Sequence, residues 1–369
     1  DDVGLWTSIA IAKDRPQVAY FDAKNRALKF ARSDGKSWST HTVQQKANSD
    51  LGRYAKQLIV GGKTVIAYLF IEPGANGAGK SGVRVATAQK ESPAAAADWS
   101  FEDVYLEEAT PCRAFMCASG ACRADTLKCE PAATGCTAKC GSGEKCFDTA
   151  GEKSCQKVFD AIYPDAFPEG AGLYVSLAET KGGLGLVFYD RVHGNLMAAR
   201  QEGGKWQPAV IIDGQSTGPN GAVDTGDVGI GASLFVDSAG DWHVAYVHGF
   251  DESLLYNKIT GGTTAGTPEI VDDGVVPEGQ AVVGADSSIA VGSSGDVLIA
   301  YQDATRGKAR YAVGKPGGAA HTWTKKDLAV SDFAGGFNKV LASGAKTEVL
   351  TWWRRAKPRT EGDISIVTP

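Results

Sequence analysis

The chain has 369 residues, 43% of them apolar, and a formal net charge of −5. That is ample apolar material for a core, and the acidic balance argues against a nucleic-acid protein, whose surface must carry a basic footprint. No apolar run is long enough to span a bilayer, the 46 glycines suit many tight turns, and the scarcity of helical patterning points to an all-β chain.

Taken along the chain, one unit recurs. The first opens with Asp2-Val3-Gly4-Leu5-Trp6-Thr7-Ser8-Ile9. It continues to a second strand ending Val18-Ala19-Tyr20, a third at Leu28-Lys29-Phe30-Ala31, and a fourth opened by Trp38 after a Gly-containing turn. The second unit repeats this as Leu51-Gly52-Arg53-Tyr54, Ile66-Ala67-Tyr68, Val83-Arg84-Val85-Ala86 and Trp99. A cysteine-rich stretch intervenes. The third unit reads Gly172-Leu173-Tyr174-Val175-Ser176-Leu177, Val187-Phe188, Leu196-Met197-Ala198-Ala199 and Trp206. The fourth reads Asp227-Val228-Gly229-Ile230-Gly231-Ala232-Ser233-Leu234, Val244-Ala245-Tyr246, Leu254-Leu255-Tyr256 and Glu269-Ile270-Val271. The fifth has Val283-Gly284-Ala285-Asp286-Ser287-Ser288-Ile289, Ile299-Ala300-Tyr301, Ala309-Arg310-Tyr311-Ala312 and Trp323. The sixth fits more loosely, with Gly336-Phe337-Asn338, Leu350-Thr351-Trp352 and Ile364-Ser365-Ile366-Val367, and reaches Pro369 before any fourth strand.

Six units of about 50 residues, each of three or four short strands, predict a six-bladed β-propeller, with each blade a four-stranded sheet. A β-sandwich or a β-helix accounts less well for six equivalent units. The expected divisions are residues 1–105 for blades one and two, 106–170 for a disulfide-rich insertion, and 171–369 for blades three to six.

All eight cysteines lie in the insertion, at Cys112, Cys117, Cys122, Cys129, Cys136, Cys140, Cys146 and Cys155. No histidine and no pair of C-x2-C knuckles accompanies them, so zinc is disfavoured and four disulfides are expected, with connectivity open. Disulfides imply an oxidising compartment: secreted, cell-surface or periplasmic. The start at Asp1-Asp2-Val3 reads as a mature form or a trimmed chain. Seven basic and seven acidic residues between Glu107 and Lys157 leave the insertion without a steering charge.

The aromatic-then-Asp second strand, the Gly-x-x-Trp hairpin and the near Asp-box Ser33-Asp34-Gly35-Lys36-Ser37-Trp38 resemble bacterial sialidase-like propellers of the BNR-repeat type. The resemblance covers nearly all of the chain outside the insertion and implies the propeller fold. It does not extend to sialidase chemistry: such enzymes carry an early Arg-Ile-Pro motif, and this chain has Asp14-Arg15-Pro16 in a turn.

Propeller geometry puts the insertion, the loop Ile71 to Ser81 and the basic loop Arg354 to Glu361 on one face, the expected working face. Two sets of residues should border its mouth. Trp6, Tyr54, Tyr174, Asp286 and Asn338 come from the innermost strands. Asp22, Asp190, His248, Asp303 and Arg354 come from the ends of the second strands. Aromatic walls with a few placed polar groups suit a sugar, although Asp22, Asp190 and Asp303 recur by repeat as turn-capping residues would. His243 and His248 should face opposite sides of their strand. His193 and His248 lie in similar loops, a weak pattern for a metal pair. No cofactor is expected; the Asp224–Asp227 and Asp237–Asp241 turns are compatible with a structural calcium, with solvated Asp-Gly turns the simpler reading. The expectation is an extracytoplasmic, non-catalytic binding protein, adhesive in character, for a surface glycan or a protein partner. The alternative is a secreted glycan-active hydrolase or lyase using mouth carboxylates. A third reading makes the insertion a lid or an intersubunit clamp.

Overall fold

The computed structural model describes the chain except residues 1, 164–166, 215, 219–220, 224–225, 331, 345 and 356–360, and gives only the backbone of 216–218 and 221–223. It is an all-β, six-bladed propeller of mostly four-stranded antiparallel sheets. The chain divides into two compact units, Asp1–Leu173 and Tyr174–Pro369.

The first unit holds two blades and the insertion. Blade one is Val3–Ala12, Arg15–Asp22, Ala27–Ser33 and Trp38–Gln44, paired in sequence order. Blade two is Asp50–Val60, Lys63–Pro73, Gly79–Ala88 and Trp99–Thr110. Its last strand runs past the expected boundary at residue 105, because the third strand is long enough to pair Gly79 with Thr110. The core lies between the sheets: Phe30, Leu28 and Val43 of blade one pack with Ile66, Tyr68, Phe70 and Trp99 of blade two. Small Ala19 and Ala55 let the two faces approach.

The insertion is two tandem stapled hairpins. Cys112–Cys122 and Cys117–Cys129 cross around the short pair Ala121–Cys122 and Cys129–Glu130. Cys136–Cys146 and Cys140–Cys155 cross around Glu144–Thr149 and Glu152–Lys157. A helical turn, Phe159–Ile162, follows, and Arg113 ties to its Asp160 at 2.9 Å. The insertion sits on second-to-third-strand loops of both blades: Arg26 lies 4.0 Å over the Phe115 ring, and a side chain at Gly77 would strike the Cys129 backbone at 2.7 Å. Four disulfides mark an extracytoplasmic protein. Among the described residues no helix is long and apolar enough to cross a membrane.

The second unit holds four blades. Blade three is Ala171–Thr180, Gly183–Asp190 and Asn195–Glu202, with its outer position shared by Lys205–Trp206 and Val210–Asp213. Blade four is Val228–Val236, Trp242–His248 and Ser253–Thr260, with Thr264–Ala265 and Glu269–Asp272 outside. Blade five is Val283–Val291, Val297–Asp303, Lys308–Gly317 and Ala320–Asp327. Blade six has three strands, Phe333–Ser343, Lys346–Arg354 and Gly362–Val367. Each core again lies between neighbouring blades.

Two recurrent hydrogen bonds join blade to blade and explain residues that the repeat carries. Serine hydroxyls on the inner strands accept the next blade's backbone N–H: Ser8 from Gln57 at 3.0 Å, Ser176 from Leu234 at 3.0 Å, Ser233 from Ile289 at 3.3 Å and Ser288 from Val340 at 3.1 Å. In blades two, four and five the tyrosine near the end of the second strand reaches back to the preceding blade's outer strand. Tyr68 donates to Gln44 at 2.6 Å, Tyr246 to Asp213 at 2.7 Å and Tyr301 to Asp272 at 2.7 Å. Blade three has Phe188 at this position, and blade six has no tyrosine there either. Its strand pairing puts the fully buried Thr351, not Trp352, in the tyrosine position, and the Thr351 hydroxyl has no partner among the described residues. Ser288→Ala leaves the Val340 N–H buried and unpaired, an expected loss of about 1–3 kcal/mol. Urea unfolding of this variant measures it, and a loss below the detection limit would remove the hydroxyl from the inter-blade linkage.

Candidate functional site

The inner strands share a distortion that the repeat pattern only hinted at. A glycine with positive φ is followed two residues later by a second positive-φ residue. The glycines are Gly4, Gly52, Gly172, Gly229, Gly284 and Gly335, with φ between 93° and 116°. The second positions are Trp6 (48°), Tyr54 (54°), Tyr174 (52°), Gly231 (66°), Asp286 (49°) and Phe337 (51°). Register shifts bracket the distortion in blades one, two, four, five and six, so it is a bulge. The leading glycine is required by space: a Cβ on Gly52 would lie 2.8 Å from Leu28 Cα. At the second position the left-handed backbone costs a non-glycine residue about 1–2 kcal/mol. Blade four avoids that cost with Gly231; the other five do not.

The bulge brings the expected inner-strand residues to one structural position, with one displacement. In blade six that position is Phe337, 79% exposed, and the expected Asn338 follows it on the opposite, buried side. Asn338 donates to the carbonyls of Asp286 at 3.1 Å and Gly335 at 2.6 Å, while Asp286 accepts the Phe337 N–H at 3.2 Å. Phe337 stands edge-on to Trp352, with ring centres 6.4 Å apart. Two residues on, crowding by surrounding protein holds the Lys339 amine below its ordinary pKa.

In the first unit Trp6 and Tyr54 lie with ring centres 5.0 Å apart. Tyr54 is buried and Trp6 half-buried, so Trp6 presents the accessible aromatic face. Arg53, itself buried, lies 5.2 Å over Trp6 and over Phe21. Its guanidinium holds Asp50 at 2.8 Å, and Arg26 holds the same carboxylate oxygen at 2.7 Å. Since Arg26 also covers Phe115, a continuous series of contacts joins Trp6 to the cysteine-rich insertion. Sequence reasoning missed Arg53 and Asp50; their neighbours Gly52 and Tyr54 were the only signal.

The ends of the second strands are otherwise occupied. Asp22 accepts the Asn25 backbone N–H at 3.1 Å and its amide at 2.8 Å. Burial pushes the Asp22 carboxyl up, but those bonds and Lys29 together hold it below the ordinary range. Asp190 accepts from Val192 at 3.0 Å and meets His193 Nδ1 at 2.9 Å. Asp303 accepts the Arg306 backbone N–H at 2.8 Å and its Nε at 2.6 Å. All three carboxylates are 2% exposed or less. His248 Nδ1 accepts the Asp251 N–H at 3.1 Å. Arg354 lies 4.7 Å over Phe333, one residue beyond Trp353, which pairing places level with Asp22 and Asp303. His243 bonds the Tyr256 hydroxyl at 2.8 Å, buried away from His248. The Asp237 carboxylate accepts from Gly240 and Asp241 within its turn. Residues 224–225 and most of the basic loop lie outside the described residues.

No protein-family pattern matches the chain, and no curated protein matches it by sequence. Solved structures do. An α-L-arabinanase from Penicillium chrysogenum aligns over 99% of this chain and 93% of its own, at 11% identity and a TM-score of 0.52. A PL25 ulvan lyase aligns over 99% and 82%, at 11% identity and a TM-score of 0.55. The NanB sialidase of Streptococcus pneumoniae aligns over 98% and 67%, at 12% identity and 0.46. At these identities the arabinanase and the lyase establish a shared fold: the chain is built like the propellers of glycan-active hydrolases and lyases.

Proposed function

We propose that the protein recognises an extracellular polysaccharide through bulged inner-strand residues, chiefly Phe337 with Asp286, which meet in the second unit. The observation that carries this reading is retained strain. Five blades keep an aromatic or an aspartate where Gly231 demonstrates that glycine serves, and strain of this kind clusters at functional positions. Flat rings for sugar faces and a carboxylate for hydroxyls are the chemistry of a saccharide site.

A glycan-array screen of the oxidised protein tests it, with each hit recovered and weighed by mass spectrometry. Phe337→Gly is the informative variant. Relief of the left-handed backbone is expected to raise stability by about 1 kcal/mol, while glycan affinity falls at least about tenfold, about 1.4 kcal/mol. Unchanged affinity would remove Phe337 from the site, and an array without hits would overturn the glycan reading.

Cleavage of the bound polysaccharide is the second reading, favoured by the arabinanase and ulvan lyase likeness. It requires a shortened or unsaturated product in the recovered hits, lost in Asp286→Asn. Intact hits leave recognition alone.

A further inference from the structure

Two carboxylates of blade two are shut away from water, and each is shared among several cations. The Asp50 side chain is fully buried; Arg26 holds it at 2.7 Å and Arg53 at 2.8 Å. The Glu72 carboxylate, also buried, meets Arg84 at 3.1 Å, Lys46 at 3.2 Å and Lys80 at 3.8 Å. Asp103, which also binds Arg84, is the third acid of the group. Five cations against three carboxylates leave two positive charges over. Asp50 and Glu72 lie inside while Arg26, Lys46 and Lys80 reach solvent, so the surplus is felt at the surface.

That surplus borders a cleft. Arg26 and Lys46 line it with Lys24, Asn48 and Phe115, around a volume of about 420 Å³, within the range of small-molecule sites, roughly 300–1,000 Å³. Among the described residues no acidic side chain lines it. Asp22, two residues before Lys24, is buried and matched by Lys29.

The walls are set in advance. Phe115 lies between Cys112 and Cys117, each in a disulfide, and carries Arg26 4.0 Å over its ring. Arg26 is thus fixed between Phe115 and Asp50, and a ligand has little left to order when it binds. Guanidinium and ammonium groups suit oxyanions. An aromatic wall beside an exposed amide such as Asn48 suits a hydroxyl-bearing ring. We propose that this cleft, between the cysteine-rich insertion and the loops at residues 24–26 and 45–49, binds an acidic saccharide. Lys24, Arg26 and Lys46 meet its carboxylate or sulfate oxygens, and Phe115 walls its ring. The site uses neither Phe337 nor Asp286.

Four probes test it by titration calorimetry on the full oxidised protein: hexagalacturonate, its neutral methyl ester, a sulfated galactan hexamer and a hexaglutamate peptide. One or both acidic saccharides should bind at least about tenfold tighter than the ester and the peptide, and the tighter of the two identifies the oxyanion. Lys24→Gln with Lys46→Gln, a pair of exposed changes that spares the fold, should lower that affinity at least about tenfold. Lys63→Gln, at the other end of the strand that carries Glu72, should leave it unchanged. Hydrogen exchange over residues 45–49 should slow when the saccharide is added. No binding by either acidic saccharide, equal affinity for the ester, an equally tight peptide, indifference to the lysine pair, or no slowing at 45–49 would each overturn the proposal. So would a loss in Phe337→Gly with none in the lysine pair, which would move the acidic saccharide to the second unit. A loss in the lysine pair alone upholds this cleft even where the Phe337 site fails.

Discussion

Raising the pH from 10 to 11 is expected to remove about 4 kcal/mol of folding stability, through four tyrosines. Tyr68, Tyr246, Tyr256 and Tyr301 are fully buried, and burial is the leading reason that each phenol is held above its ordinary pKa of 10.0. Tyr246 and Tyr301 are raised further by the carboxylates they latch, Asp213 and Asp272. The folded chain therefore keeps these protons while the unfolded chain releases them above pH 10. A folded-state pKa raised above the unfolded one gives stability that is fully present below pH 10 and is lost as the pH climbs. Each group loses about 1.0 kcal/mol between pH 10 and 11, since the unfolded phenol is still only part-ionised there, and the four add. Urea unfolding at pH 9, 10 and 11, with tyrosinate absorbance followed in parallel, measures it. Tyr246→Phe should cut the slope by about a quarter while weakening the Asp213 latch at every pH. A stability that stays level from pH 9 to 11 would mean that the inter-blade tyrosines reach water in the folded state.

Reduction should take the molecule apart unevenly. The four disulfides close loops of 10, 12, 10 and 15 residues, each worth about 3 kcal/mol of unfolded-chain entropy. Beside them stand a small apolar cluster of Cys112, Cys122 and Phe159, the buried Phe147 under Arg123, and the Arg113–Asp160 pair. The blades contain no cysteine and keep their cores between sheets. Dithiothreitol is therefore expected to yield eight thiols, to open residues 112–163 to protease, and to leave amide protection in the blade strands unchanged. Loss of protection in blades one and two would show that the Phe115–Arg26 contact holds more than the insertion.

The repeat was legible in the sequence because a strand has a period of two and a blade a nearly constant length. Alternation around Tyr20, Tyr68, Tyr246 and Tyr301, with Gly-Trp turns between, was enough for six blades, and eight clustered cysteines were enough for a stapled insertion. What the tyrosines do was not legible, since Gln44, Asp213 and Asp272 become their partners only when sheets stack. Disulfide pairing was equally closed to the sequence, because loop lengths of 10 to 15 residues permit many connectivities. Blade six shows the limit most plainly. Its repeat read best with Asn338, Trp352 and Arg354 in register, and strand pairing puts Phe337, Thr351 and Trp353 there instead.

The amino-acid sequence by itself determined the class of fold, the number of blades, the place of the covalent staples and the compartment they require. These are local properties: periodicity, turn chemistry and cysteine count. Only the tertiary structure decided which residues meet. It made five costly left-handed residues equivalent across blades and set Arg53 over Trp6 with Asp50 as its partner. Those relations join residues tens of positions apart through sheet packing, and no pattern within one repeat encodes them.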